Sequence, residues 1–282
     1  VVMDDYPTYT PSKIRDAAAK NLKIRVDAVD SNGIFPMKWA EKEFTTAYSF
    51  RKYVQRNLLD AFQTIPSKNP IEHKYRDIRV NEEIISDLKK NIGFESTPLE
   101  WLWRVAEGGD VGNQAMEEFP IDHTVPAVIT SKGGVNEARL RLQKFLNYRL
   151  NKYSTDRNNP DKPAVSGLSP WLHFGHISSY EIIHNVLSKE NWNPDSLNHE
   201  DTGKGTRTGW WGVSESSSSF LDQIITWREL GFNFAYNRDD HATVETIPNW
   251  AKLSMKEHIN DDRIIYSLEE LESAETHDEI WN

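Results

Sequence analysis

The stretch YSTDRNNPDKPAVSGLSPWLHFGHI, residues 153–177, decides how the rest of this chain is interpreted. Its prolines and glycines restrict the backbone to one irregular path, and Ser166 and Ser169 place short hydroxyl groups along it. An irregular loop with several donors that leads into a helix can hold an anion, typically the phosphates of a nucleotide cofactor. An ordinary proline-rich surface loop is the alternative, and spacing alone does not separate the two.

Composition bounds the class of protein. The chain has 282 residues, 38% hydrophobic and 27% charged, which is typical of a globular protein with one large or two modest domains. No apolar run approaches the ~20 residues that span a bilayer and no signal peptide is visible, so we expect no membrane partner and a cytoplasmic location. The absence of cysteine excludes disulfides and thiolate metal sites. Of the ten tryptophans, we expect most to be core and two or three to be functional.

The net charge of −10 argues against a broad nucleic-acid surface, because duplex binding depends on Lys and Arg meeting phosphates. Charge is uneven, however, and residues 136–157 are strongly basic. This segment could form a local face that meets DNA, and a solvated helix face is the alternative. Its basic residues are Arg139, Arg141, Lys144, Arg149, Lys152 and Arg157.

Local patterns predict a mostly helical chain after a short α/β start. We expect helices over residues 11–22, 46–62, 81–92 and 136–153, and a half-buried strand over residues 23–29. Residues 93–134 are irregular, with one short helix expected around Trp101. Later helices are expected to start at Ser178, Pro248 and Ser267.

A stripe of large residues follows the serine run 216–219. Apolar or small residues recur at i, i+4, i+7, i+11 and i+14, which predicts one face of a long buried helix. They are Phe220, Ile224, Trp227, Gly231 and Phe234.

Two consecutive motifs resemble the flavin-binding entry of the photolyase/cryptochrome family: Tyr-x3-Arg-x2-Pro and, after it, Ser-x-Leu-Ser-Pro-Trp-Leu-His-Phe-Gly. Within that family, the resemblance is closest to the class II cyclobutane pyrimidine dimer photolyases. Four further stretches are similar to that family: VDAVDSNGIFP, TAYSFRKYVQ, FLDQIITWRELGFNFAY and YSLEELESAETHDEIWN. The resemblance implies a mainly α protein that combines the remnant of an α/β (Rossmann-like) antenna domain with the first half of an all-helical FAD-binding domain. Residues 1–92 would hold the first part, 93–134 an interdomain connection and 135–282 the helical domain.

The same resemblance implies a deoxyribodipyrimidine photo-lyase, which repairs cyclobutane pyrimidine dimers in DNA with light and reduced FAD. It implies that the protein is a monomer and that its partner is DNA that contains pyrimidine dimers. The intact protein could also bind a second, antenna chromophore of unknown identity. A helix-start signal at residues 276–279 close to the chain end, and Val1 in place of Met, indicate an internal piece of a longer protein. We expect that piece alone to be inactive.

The family motifs also assign roles to single residues. The flavin diphosphate and ribitol would be lined by Tyr153, Ser166, Gly167, Leu168 and Ser169, with Arg228 near the phosphate. Val165 stands where the family often has a hydroxyl residue. As alternatives, Gly167 could simply form a turn, and Arg228 could form an ion pair with Glu229.

On the DNA side, Trp227 of the Trp-Arg-Glu signature would pack against the flipped dimer, with a core residue as the alternative. Gln223 stands where many photolyases have a glutamate that bonds the dimer, Arg157 would face the DNA backbone, and Trp281 would relay electrons. His173 and His176 lack a carboxylate or thiolate companion, so no metal site is expected.

Two other functions stay open. Gln223 and the acidic balance favour a cryptochrome-like flavin photoreceptor that signals through partner proteins. A non-catalytic helical interaction protein derived from the same fold is the third possibility.

Overall fold

The computed structural model describes residues 1–67, 121–125 and 130–282, with a few single positions between these ranges. The described residues are mostly helical, as expected of a mainly α protein. The predicted helix over residues 81–92, the helix around Trp101 and most of the predicted connection over 93–134 lie outside the described residues. None of the described helices combines the length and apolar character that a bilayer span requires.

The helices confirm most of the predicted starts. Ser178 Oγ and Ser267 Oγ accept the backbone N–H of Glu181 and Glu270, so both serines are N-caps. A π-helical turn, Asp222–Trp227, follows the helix Glu215–Leu221 and leads into the helix Arg228–Asn237. The helices with described bounds are α1 (Tyr9–Asn21), α2 (Ala47–Gln63), α3 (Val135–Tyr148), α4 (Tyr153–Asp156), α5 (Ser169–His173), α6 (Ser179–Lys189), α7 (Glu215–Leu221), α8 (Arg228–Asn237), α9 (Asn249–Glu257) and α10 (Leu268–Glu272).

A two-stranded parallel sheet lies at the start of the chain. Strand β1 (Val2–Asp4) pairs with β2 (Asp27–Val29), with Val2 opposite Asp27, and α1 connects the two. The predicted strand over residues 23–29 is therefore real but shorter than expected. The sheet and α1 form one β-α-β unit, and its assignment to a Rossmann-like antenna domain stays a prediction.

The described chain divides into two compact units, which we call terminal and central. The terminal unit joins Val1–Phe50 to Thr226–Asn282, and the central unit is Arg51–Ile225. In the terminal unit, α8 packs on a 3-10 turn, Met37–Trp39. Its buried side chains include Ile34, Phe35, Met37 and Phe50. The predicted domain boundaries at residues 92 and 134 stay predictions.

The central unit is built on the packing of α7 against α4 and against a 3-10 turn, Leu150–Lys152. Helix α3 packs on α6 in the same unit. The amphipathic pattern of α3 and α6 explains this arrangement, because each helix buries one apolar face. Fully buried side chains of this core include Leu58, Phe145, Leu168, Ile182, Val186, Leu221 and Ile225.

The predicted buried stripe is correct only for its first half. Phe220 and Ile224 are buried, but the Trp227 side chain is 52% exposed. The π-helical turn places one extra residue in the turn, which rotates the following helix face by about 100°. The buried positions of α8 are consequently Glu229 and Asn233 rather than the positions that continue the stripe.

Candidate functional site

The loop at residues 165–169, called the cradle loop, turns at Gly167. Gly167 has φ of 66°, a left-handed conformation that favours glycine, so this residue supports a turn and a close backbone approach at the same time. The Leu168 N–H points back to Ser166 Oγ at 3.4 Å. Leu168 is buried, Ser166 is half-buried and Ser169 is exposed. Ser169 therefore offers an exposed hydroxyl, and the half-buried Ser166 a second one, while Val165 is the exposed apolar residue of the loop.

Tyr153 is buried in the core of the central unit. Its ring meets Phe145 and Phe220 edge-on, with centroids 5.9 and 5.2 Å apart. The Arg157 guanidinium lies over the same ring, 5.5 Å from its centroid. The structure therefore brings two of the predicted site residues, Tyr153 and Arg157, into direct contact, and fixes the tyrosine by packing.

Two arginines that sequence reasoning did not assign to the site border the cradle loop. The guanidinium of Arg141, on α3, lies 3.8 Å from where a Cβ on Gly167 would be. Arg149 Nη1 donates to the Val165 carbonyl oxygen at 3.4 Å. Because α5 has only five residues, its dipole contributes little, and the positive charge near the loop comes from these side chains. The basic run over residues 136–157 was the available signal.

In the terminal unit, Trp227 and Arg228 take different environments. The Trp227 side chain is exposed, which argues against the alternative that it is a core residue. Arg228 is half-buried, its Nη1 donates to the Asn32 carbonyl oxygen, and its guanidinium lies 4.8 Å from the Phe232 ring centroid. Burial lowers the pKa of Arg228, against the opposing effect of Glu229. Its predicted role toward a flavin phosphate stays a prediction.

Glu229 and Asn233 fasten the segment of residues 32–44 to α8. The Glu229 carboxylate accepts the backbone N–H of Ile34 at 2.8 Å and of Phe35 at 3.0 Å. Asn233 Oδ1 accepts the Phe44 N–H at 2.9 Å, and its Nδ2 donates to a backbone carbonyl at 3.0 Å. Both side chains are buried. These hydrogen bonds join two of the family-like motifs, the VDAVDSNGIFP stretch and the Trp-Arg-Glu signature, within the terminal unit.

Glu229 should make stability depend on pH. Burial raises the pKa of Glu229 to about 7 from an ordinary value of 4.5, against two backbone hydrogen bonds and Arg228 that lower it. Between these values the folded protein holds the proton more tightly than the unfolded chain, so stability falls as pH rises and levels off above about pH 7. We expect the advantage of wild type over Glu229→Gln to be largest below the ordinary pKa of 4.5 and to be about 1–3 kcal/mol smaller at pH 8 than at pH 5. Urea unfolding across this range measures it, and parallel profiles would contradict the assignment.

Gln223 lies half-buried in the π-helical turn, next to a buried ion pair that the sequence did not reveal. Asp222 accepts two N–H bonds from Arg51, at 2.8 and 3.1 Å. Arg207 Nε lies 3.8 Å from the same carboxylate. The acid that precedes Gln223 is therefore fully engaged in holding the fold of the central unit.

Two remaining predictions concern residues outside these clusters. Trp281 is exposed, and its Nε1 donates to the Leu271 carbonyl oxygen at 3.3 Å. His176 Nδ1 accepts the Gly134 N–H at 3.1 Å, so one ring nitrogen of the pair His173 and His176 is already hydrogen-bonded.

The predicted site residues are divided between the two units. The central unit contains the cradle loop, Tyr153, Arg157 and Gln223, and the terminal unit contains Trp227, Arg228 and Trp281.

Comparison with known proteins identifies relatives of one kind. A deoxyribodipyrimidine photo-lyase of Potorous tridactylus is 34% identical over 67% of this chain and 30% of the relative. Proteins of the same name from Arabidopsis thaliana and Methanothermobacter thermautotrophicus are each 28% identical, over 100% and 95% of this chain and 50% and 48% of their own length. No family model matches the chain.

The chain spans half or less of the length of these curated relatives. The alignment with the Arabidopsis thaliana protein covers the whole chain, so it runs through both units and includes the cradle loop and the Trp-Arg-Glu signature. These matches agree with the motifs that the structure places on the cradle loop and on α8. The chain belongs to the photolyase family.

Proposed function

We propose that this chain is part of a class II-like photolyase that repairs cyclobutane pyrimidine dimers in DNA under light. The observation that carries the proposal is the exposure of Trp227, which the helical pattern alone would bury. The π-helical turn that exposes it is of the kind found often at functional sites. A large exposed indole can stack on an extruded base, which is how enzymes that act on bases read them.

The cradle loop supports FAD as the cofactor. Gly167 allows close backbone approach, Ser166 and Ser169 offer hydroxyls, and a buried nitrogen of Arg141 has no hydrogen-bond partner in the described part of the chain. Tyr153 and Leu168 are packed in the core and would shape the floor of the site. Reduced FAD, when bound, supplies the electron that splits the cyclobutane ring.

The chain's own residues would bind and orient the lesion. Trp227 would stack on the extruded dimer, and Gln223 can donate or accept a hydrogen bond at a pyrimidine edge. Arg157, held over Tyr153, would contact the DNA backbone. Trp281 is proposed as a step in electron supply to the flavin. Extraction of a dimer costs less than extraction of a normal base, because the damaged base is poorly paired.

Trp227→Ala tests the substrate assignment. We expect the variant to lose about 1–3 kcal/mol of affinity for an oligonucleotide with one thymine dimer, because base–aromatic stacking is lost. Fluorescence anisotropy in the dark measures the affinity. Trp250→Ala is the matched control, since Trp250 is also a helical tryptophan of the terminal unit and is 75% exposed. Equal lesion affinity for wild type and Trp227→Ala would remove the proposed substrate.

A cryptochrome-like photoreceptor is the second candidate, and Gln223 is the observation that favours it. An amide at this position cannot share a proton with the dimer as a carboxylic acid can. Light-dependent restoration of thymine absorbance in the dimer oligonucleotide separates the two functions. A flavin-containing protein that binds no lesion and restores no absorbance would be a photoreceptor.

A further inference from the structure

We propose that Arg141 is an additional ligand-binding residue of the cradle loop and that it binds the diphosphate group of the nucleotide cofactor. The inference deepens the proposed function, on which its cofactor rests, by naming the residue that meets the phosphates. Three observations support it: the position of Arg141 beside Gly167, its unpaired buried nitrogen, and a fixed orientation.

The position of Arg141 follows from α3. From this helix the guanidinium reaches the left-handed turn, where both Cζ and Nε lie 3.8 Å from the place of a Cβ on Gly167. Because residue 167 is glycine, no Cβ stands between the loop backbone and the guanidinium, and the backbone can approach a ligand closely. The Ser166 hydroxyl precedes the same turn, so a ligand here would meet a charged and a neutral donor together.

The hydrogen-bonding state of Arg141 is unusual. Its Nε is buried and has no partner among the residues that the structure describes. Arg139, two residues earlier on α3, is instead satisfied by Glu181, with contacts of 2.6 and 3.2 Å. A buried donor without a partner is costly, so such a group in a folded protein calls for an explanation. An anion bound at the turn supplies the missing acceptor.

The orientation of Arg141 is fixed before any ligand binds. Its guanidinium lies over the Trp171 ring at 5.2 Å, and Trp171 is itself held by a hydrogen bond from its Nε1 to the Lys132 carbonyl oxygen at 3.1 Å. A stacked guanidinium presents its planar edge of N–H donors, which matches the oxygens of a phosphate. Preorganisation of this kind lowers the entropy cost of binding.

A diphosphate is the anion that the local charge favours. Arg149 is hydrogen-bonded to the Val165 carbonyl oxygen of the same loop, so two positive charges border a short backbone segment. The carboxylate of Asp156, on α4, is already paired with Lys162 at 3.3 Å. Two guanidinium groups suit a ligand that carries more than one negative charge, and a diphosphate does so.

Titration calorimetry with inorganic pyrophosphate and with ADP tests the inference on the 282-residue chain. We expect wild type to bind both, and Arg141→Met to bind both about tenfold more weakly or worse, because a charge-assisted contact is lost. Arg139→Met is the control from the same helix and should bind like wild type. Met retains the apolar stem over Trp171, and a thermal unfolding curve for each variant shows whether the fold is intact.

Arg141→Lys provides a second test if the Met variant does not fold. It keeps the charge but lacks the planar fork, so the stabilisation of the chain by pyrophosphate against heat should be reduced rather than unchanged. The inference is overturned if wild type binds neither probe, or if Arg141→Met binds pyrophosphate as tightly as wild type. It is also overturned if Arg141→Met weakens only the binding of duplex DNA. If an intact protein that contains this chain shows no light-dependent repair, while the chain binds pyrophosphate normally, the proposed function fails and this site stands.

Discussion

Replacing Asp222 by alanine is expected to lower the free energy of unfolding by about 3–5 kcal/mol, because it breaks one side of a buried ion pair. The Asp222 side chain is 3% exposed and its partner Arg51 is 12% exposed, so removal of the carboxylate leaves a guanidinium with little access to water. Among the residues that the structure describes, Arg51 would keep only its hydrogen bond to the Gly205 carbonyl oxygen at 3.2 Å. Urea denaturation followed by tryptophan fluorescence measures the loss.

Arg207→Ala is the matched control for this ion pair. Arg207 lies 3.8 Å from the same carboxylate, but its side chain is 51% exposed, so its removal should cost less than about 1 kcal/mol. The double variant Asp222→Ala/Arg51→Ala should be less destabilised than the sum of its single variants, since neither charge is then stranded. If Asp222→Ala costs no more than Arg207→Ala, the pair does not hold the central unit together.

Local signals in the sequence predicted much of the helical framework. The caps at Ser178 and Ser267 depend on residues only three positions apart, and the structure has both. The amphipathic pattern of residues 136–153 likewise corresponds to α3, which ends at Tyr148 and is followed by a 3-10 turn. Such features follow from short-range hydrogen bonding and helical periodicity, which a single sequence contains.

The orientation of α8 could not be predicted in the same way. A π-helical turn has no distinct residue pattern, so a constant helical period extends through it and predicts Trp227 on the buried stripe. The hydrogen bond from the Ile34 N–H to the Glu229 carboxylate joins residues that are 195 positions apart in the sequence. Pairings at that separation depend on the tertiary fold rather than on any local motif.

The cradle loop combines residues that the sequence motif predicts with a residue, Arg141, that only the tertiary fold identifies. Its motif indicated Ser166, Gly167 and Ser169 directly, whereas Arg141 was only one of several basic residues of a helix that could equally have been solvated. The structure distinguishes the two arginines of α3: Arg139 is paired with Glu181, whereas Arg141 Nε has no hydrogen-bond partner in the part of the chain that the structure describes. That distinction requires the position of Glu181 on a different helix, which the pattern of α3 does not contain.

Gly212→Ala should be as damaging as the loss of Asp222, for steric reasons. Gly212 has φ of 65°, and a Cβ added to it would lie 1.9 Å from the Ser196 carbonyl oxygen, far inside any real contact distance. The backbone cannot easily yield, because the preceding Trp211 is buried and its carbonyl oxygen accepts the Trp192 Nε1–H at 2.8 Å. We expect a loss of about 3 kcal/mol or more, from left-handed strain together with overpacking.

Gly209→Ala separates these two contributions. Gly209 is also left-handed, with φ of 84°, but a Cβ there would meet nothing within 4 Å. It should therefore show only the conformational cost of about 1–2 kcal/mol, and the difference between the two variants measures the collision with Ser196. Urea unfolding of both variants gives that difference. Equal destabilisation would mean that the loop around Trp211 relaxes freely, and the close approach at Gly212 would then not constrain the fold.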